Sequence, residues 1–372
     1  MTCKIFKWDE IKEKFEDSTL ILGNGASRSV SEKFSYNSLK EEAERLGILN
    51  DDVIKLFGTF STVDFELILR TLWHANLVNK DLDIPDNKST EAYKSISLAL
   101  VQLVREVHSD YSNINFKNIG DFIKGFSFIF PLSYDLIVYW TILYLNENES
   151  LKNFKDCFGG GGVFNNKLNS YRRKDGVKSS HIVGYPHGML AINVDKFSSE
   201  KKLSSNASKW DTDTTQKLLD LILHSWTNEQ NSPVFVSEGT SEKKIEAIHR
   251  SRYLTAIFDD FLPNALLEND YFSRKNPKNL TIFGWALGEH DKHIIEALLS
   301  KCFNNKVDNM KIAISVNPNS SQQDLEELCV NIKKIFKVRR NDNSDKTWRT
   351  DSIRGLEIYP FAWDSVGNWK NN

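Results

Sequence analysis

Apolar residues along this chain follow two rhythms, and their alternation predicts the fold. Short apolar or β-branched runs at 19–22, 126–132, 180–185, 190–194, 233–236, 280–284 and 311–316 read as buried strands. Stretches at 39–107, 137–145, 242–258, 291–301 and 323–336 place apolar residues at three- and four-residue spacing, as helices do. Residues 4–15 form a charged helical lead-in, and 81–89, with Pro85, a connecting loop. Strands alternating with helices predict one α/β domain over 1–372, with no internal repeat. It is Rossmann-like: a mostly parallel sheet, helices on both faces, and a helical insertion at 40–115 after the first strand. The polar, Ser/Lys-rich segment at 195–215 reads as a mobile loop, and Gly159 to Gly162 as an irregular turn.

Composition narrows the class. With 372 residues, 40% hydrophobic and 26% charged, the chain can bury a large core. A net charge of −2 gives no overall field for nucleic acid. The basic runs Arg172-Arg173-Lys174 and Lys337-Val338-Arg339-Arg340 read as solvated surface. No apolar stretch approaches the roughly 18 residues that span a bilayer, and the first residues lack the apolar core of a signal peptide. Cys3, Cys157, Cys302 and Cys329 are far apart, as reduced thiols in a cytoplasmic protein would be, and they form no zinc ribbon.

The strand at 19–22 runs into Gly23-Asn24-Gly25-Ala26-Ser27. Glycines at the carboxyl end of a first strand allow a sharp turn and close approach of a dinucleotide phosphate. The bland reading is a tight strand-to-helix connection. There is no Gly-Lys-Ser/Thr ending, and Arg28 stands where a dehydrogenase fingerprint has its third glycine. Ser133-Tyr134-Asp135 follows the second strand, so it faces the same crevice. Asp135 there binds a ribose hydroxyl or an amide, or else caps the next helix. His187, in Tyr185-Pro186-His187-Gly188, is a candidate general base on a stiff turn. His74 and His224 read as packed or partly exposed, and His108, His249, His290 and His293 lack such a turn. Gly284-Trp285 and Asp291 follow another core strand, and Asp291 is also a candidate helix cap. His290 and His293 beside Asp291 imitate a metal cluster, but no HExxH pattern is present and no metal is expected.

In order and spacing these segments resemble the sirtuin-like NAD-binding family over about residues 19–320. The branch that looks most similar is bacterial and carries Phe-x-Tyr-x-Ser-Leu after the glycine turn, here Phe34-Ser35-Tyr36-Asn37-Ser38-Leu39. The segments at 135–140 and 236–241 look like that branch too. The resemblance implies a pocket in which Gly23, Asn24, Gly25, Ala26, Ser27, Ser38, Tyr134, Gly284, Trp285 and Asp291 hold NAD. His187, Ser133 and Asp135 would be its catalytic residues, with NAD as substrate and no metal. Deacetylating members carry four zinc cysteines; their absence here implies water as acceptor, giving nicotinamide and ADP-ribose. Where many members have asparagine, Ser133 is shorter and has no amide donor, so the alternative is a catalytically weak nucleotide sensor or assembly subunit. The bacterial members also imply a regulated anti-phage effector, with an activating partner protein, homo-oligomer or nucleotide signal, and with 195–215 and Gly159 to Gly162 as gate elements.

Overall fold

The computed structural model describes residues 4–35, 39–85, 87–108, 110–148, 154–166, 181–195, 199–203, 212–227, 231–236, 240–267, 278–304, 306–342 and 347–371. Its strands, in chain order, are β1 (Ser18–Leu22), β2 (Phe126–Pro131), β3 (Phe154–Lys155), β4 (His181–Val183), β5 (Gly188–Asp195), β6 (Glu200–Lys202), β7 (Asn231–Phe235), β8 (Leu280–Phe283), β9 (Lys311–Val316), β10 (Lys337–Asp342), β11 (Thr347–Ser352) and β12 (Glu357–Ala362). Every residue of β1, β2 and β8 is buried. Side chains alternate between the two faces of a strand, so burial of all of them requires cover on both sides. The expected Rossmann-like α/β fold is what forms.

Seven strands make the central sheet, in the order β12-β9-β8-β1-β2-β4-β3, and every pair is parallel. From β1 the chain steps outward to β2, on to β3 at the edge, and back to β4 between them. It later returns to the other side of β1 and steps outward again through β8, β9 and β12. The direction of winding therefore reverses between β1 and β8, which opens a crevice at their carboxyl ends. Between β1 and β2 lies the expected helical insertion, as helices Leu39–Arg45, Asp51–Thr59, Phe65–Asp81 and Lys88–Val107.

Several expectations need correction. The strands expected at 190–194 and 233–236 are not in the parallel sheet; they are β5 and β7 of a separate antiparallel sheet, order β6-β5-β7. The helix expected over 242–258 breaks after Ile248 and restarts at Arg252. The restart is stabilised because Ser251 Oγ accepts from Leu254 N–H at 3.1 Å and the Glu200 carboxylate accepts from Arg252 and Tyr253 N–H at 3.0 and 2.6 Å. It ends in a π-turn, Ile257–Phe261. Within 195–215, Glu200–Lys202 is an ordered edge strand on β5 and Thr212 opens a helix; 196–198 and 204–211 lie outside the described residues. In the second basic run Arg340 is buried, its guanidinium 2.5 Å from Asp308, and so is a structural ion pair rather than surface. Arg172 to Lys174 lie outside the described residues.

An aromatic cluster packs around the end of β8. Trp8 packs on Phe122 and Phe361 with ring centroids 5.2 and 5.1 Å apart, and Phe283 on Phe122 and Trp369 at 5.4 and 4.8 Å. It joins the chain's two ends to the last residue of β8.

At the crevice, Gly284 has φ +67° and a Cβ there would lie 2.2 Å from the Ala26 nitrogen. Backbone cannot yield as a side chain tip can, so Gly284→Ala is expected to cost about 2–4 kcal/mol. Gly58, in the exposed helix Asp51–Thr59, has nothing within 4 Å of its added Cβ. Gly58→Ala is expected to gain about 0.5–1 kcal/mol. Urea unfolding of both variants checks the pair of opposite signs.

Candidate active site

At the carboxyl end of β1, Gly23 opens the short helix Asn24–Arg28. Gly23 N–H donates to Phe283 C=O at 2.9 Å, and Gly25 N–H to Gly284 C=O at 2.7 Å. A Cβ on Gly23 would meet Gly284 oxygen and Trp285 Cβ at 2.5 Å. The glycines thus let two loops interlock backbone to backbone. Ala26 N–H is also engaged, by Gly23 C=O at 3.0 Å. These three amides are committed to partners within the protein. The cation facing the cavity here is Arg28. Asn24 is anchored by its Nδ2 donating to Phe34 C=O at 3.0 Å.

Ser27 reaches toward the loop after β2. Its buried Oγ donates to Asp135 Oδ2 at 2.5 Å and lies 3.2 Å from Ser133 Oγ. Asp135 Oδ1 accepts from Ile137 N–H at 2.8 Å, so the helix-cap reading of Asp135 is met. One carboxylate therefore ties the loop after β1 to the loop after β2. Ala26 and Ser27 are buried beside the residues that line the cavity. Tyr134 is held by its ring stacking on Phe235, centroids 4.9 Å apart, and by Leu190 N–H donating to its carbonyl at 2.8 Å.

His187 sits on a β-turn closed by Gly188 N–H donating to Tyr185 C=O at 2.9 Å, with Pro186 presetting the first corner. Gly188 has φ +77° and its Cβ position is filled by Val234 oxygen. Val236 N–H donates to His187 C=O at 2.7 Å, so β7 clamps the turn from outside. The imidazole is buried. Its Nδ1 lies 3.2 Å from Leu132 C=O, which can only accept, so the proton of the neutral ring is on Nδ1. Nε2 then carries a lone pair. It meets His293 Nε2 at 2.9 Å, which must donate. His293 Nδ1 in turn accepts from Ser241 Oγ at 3.2 Å, and that oxygen accepts from His293 N–H at 3.0 Å. One self-consistent tautomer chain runs from Leu132 to Ser241.

Both rings are held neutral. Burial first, and then the Lys244 ammonium, push His187 from 6.5 down to about 3 and His293 down to about 4, against the pull of Asp291. Lys244 is itself buried and bonds Asp291 Oδ1 at 2.7 Å. Asp291 Oδ2 accepts from Trp285 Nε1 at 3.1 Å, and Oδ1 lies 4.0 Å from His187 Nε2. Asp291 makes no side-chain cap to the helix Lys292–Leu299; it organises this charge cluster instead.

Of these groups His187, Lys244, Trp285 and Asp291 line a cavity of about 440 Å³, within the range of small-molecule sites, and His293 and Ser241 are buried next to them. Gly23, Asn24, Gly25, Ser133, Tyr134, Asp135, His187, Gly284, Trp285 and Asp291, expected from the sequence, all line it. Ser38 lies outside the described residues. The buried thiols Cys157, Cys302 and Cys329 take no part. Sequence reasoning missed Lys244 and Ser241, and set His293 aside because it lacks a rigid turn. A signal existed: Ser241, Lys244 and Ile248 recur at helical spacing on the buried stripe of Ser241–Ile248, where a lysine needs a partner.

Because the two histidines are neutral when folded and protonate near 6.5 when unfolded, the unfolded chain binds more protons below that pH. Stability is therefore full above about 6.5 and falls as the pH drops toward about 4 and about 3. His293→Gln should remove about 1.4 kcal/mol per pH unit of that slope between roughly pH 4.5 and 6. Urea unfolding free energies of wild type and variant across that window measure it; equal slopes would show that His293 protonates freely in the folded chain.

No curated protein matches the chain. Residues 20–351, from β1 into β11, match a family model described as a domain of unknown function, DUF4917. That match spans most of the chain, and with the loops that enclose the cavity inside it, the chain belongs to the DUF4917 family.

Proposed function

We propose that this chain hydrolyses the bond between nicotinamide and ribose in NAD, giving nicotinamide, ADP-ribose and a proton. The observation that supports it most is convergence: the Gly-Asn-Gly turn, Ser133-Tyr134-Asp135 and the His187 turn meet in one cavity at the sheet's reversal point. These loops carry the resemblance to the sirtuin-like pattern, and they come together in three dimensions. On this reading the nicotinamide riboside end enters beside His187 and Ser133, and Arg28 at the glycine turn faces the pyrophosphate.

The chemistry asked of the protein is modest in covalent terms. The nicotinamide leaves with its bonding electrons, the ribose passes through an oxocarbenium-like state, and water adds to the anomeric carbon. The chain orients the sugar and water and compensates developing charge. His187 Nε2 is the available lone pair, and a ribose hydroxyl competes for it with His293 N–H. Asp291, 4.0 Å away, compensates a proton gained on that nitrogen. A cell cannot tolerate ungated NAD loss, so the proposal includes an activating partner, homo-oligomer or nucleotide signal, in keeping with an anti-phage effector in the cytoplasm. Among the described residues no helix is long and apolar enough to cross a membrane.

Ser133 in the asparagine position and the engaged lone pair of His187 favour a second reading, a nucleotide-binding sensor or assembly subunit without turnover. One experiment separates the two. Purified full-length chain, alone and with the products of neighbouring genes, is incubated with NAD, nicotinamide is quantified by chromatography, and NAD binding is followed by calorimetry. Cleavage that falls at least about 100-fold in His187→Ala supports the hydrolase. Binding without turnover supports the sensor, and undiminished cleavage in His187→Ala removes that residue from the chemistry.

A further inference from the structure

From the way two buried histidines share one hydrogen bond, we propose that this pocket is also a binding site for a borderline divalent cation of the Zn²⁺ class, held by His187 Nε2, His293 Nε2 and the Asp291 carboxylate. These donor atoms all lie within 4.8 Å of one another among the described residues. Two imidazoles and a carboxylate, with a further position open to the cavity, form a ligand set that zinc accepts.

The outer contacts match the ligands. A metal-bound histidine usually donates its other ring N–H to a protein oxygen, which fixes the ring. His187 Nδ1 already faces Leu132 C=O at 3.2 Å, and His293 Nδ1 faces Ser241 Oγ at 3.2 Å. Both Nε2 atoms are thereby turned toward each other, 2.9 Å apart. Metal entry needs one tautomer change with no net loss of a proton: the His293 hydrogen moves from Nε2 to Nδ1. The Ser241 hydroxyl then rotates to accept it, which its second lone pair permits. Tetrahedral ligands at zinc–nitrogen distances stand about 3.3 Å apart, so the rings separate by only a few tenths of an ångström. Asp291 closes on the ion from 4.0 Å.

One group opposes the ion. Lys244 holds Asp291 Oδ1 at 2.7 Å and places a positive charge where the cation would sit. It occupies the site's charge in the free protein and sets a moderate affinity. Removing it therefore strengthens metal binding, an outcome opposite to that expected for a lysine that only stabilises the fold. On the hydrolase reading, an ion on Nε2 takes the lone pair the reaction uses, so it acts as an inhibitor and not a cofactor. That consequence rests on the proposed function; the binding itself does not.

Full-length protein stripped with a chelator is dialysed against Zn²⁺, and separately titrated with Co²⁺, whose four-coordinate complex absorbs in the visible. The expected result is one ion per chain with a Co²⁺ spectrum of low symmetry. Binding should fall at least about tenfold in His293→Gln and in Asp291→Asn, stay unchanged when exposed His249 becomes Gln, and rise about tenfold in Lys244→Met. Absence of a Co²⁺ spectrum at micromolar ion, unchanged binding in His293→Gln, or weaker binding in folded Lys244→Met overturns the site. Should His293→Gln fail to fold, the Lys244→Met direction still decides. Loss of NAD cleavage as a reading leaves the dialysis result standing, and metal binding without effect on an observed cleavage removes only the inhibitory role.

Discussion

The interlock of the loops after β1 and β8 is the constraint on which the rest of the site rests. A Rossmann-type sheet reverses its winding there, and a crevice would open by topology alone. Here the crevice floor is fixed by backbone, with Gly25 N–H on Gly284 C=O and Gly284 in the left-handed region. No side chain intervenes, so the spacing between the two halves of the sheet at this point has little play. Everything on the rim is positioned from that floor. Ser27 reaches across to Asp135, Asp135 fixes the start of the helix Ile137–Asn148, and Trp285 reaches Asp291.

A second layer of organisation is electrostatic. The site holds two buried imidazoles, a buried lysine and a half-buried carboxylate, yet only the lysine and the carboxylate carry charge. Burial makes a cationic ring costly, and Lys244 adds to that cost. The pair is stable because each ring nitrogen meets a group of the opposite hydrogen-bonding sense. Neutrality of the rings is thus enforced by their surroundings and supported by a complete chain of donors and acceptors.

Much of this could be read from residue order. Short, mostly apolar runs mark buried strands, and β1, β2, β8 and β9 fall where such runs stand. Motifs at strand carboxyl ends share an edge in a parallel sheet, so ten of the candidate residues line one cavity. What escaped was of two kinds. Short or polar strands such as β3 and β6 carry too little apolar signal, and β12 holds Pro360, which speaks against a strand until its pairing with β9 is seen. The strand ending at Phe235 looked like any other, and only its partner β5 makes it antiparallel. Lys244 and His293 lie on helices as ordinary-looking residues, and their meaning comes from which face is turned inward. The bond from Ser27 to Asp135 was not legible either, because a turn's spacing does not say which way a hydroxyl points.

The aromatic cluster gives the chain a direction in time. Phe283, whose carbonyl holds Gly23, is covered by Phe361, with ring centroids 6.3 Å apart, and by Trp369. Trp8 sits against the same Phe361. On the ribosome, the groups that line the pocket are all made well before these last aromatics. Their floor nevertheless stays without its backing until the final strand has been added beside β9 and Trp369 has docked. The nascent chain thus carries every reactive group in advance and assembles them late, so that synthesis itself orders the moment at which the pocket takes shape.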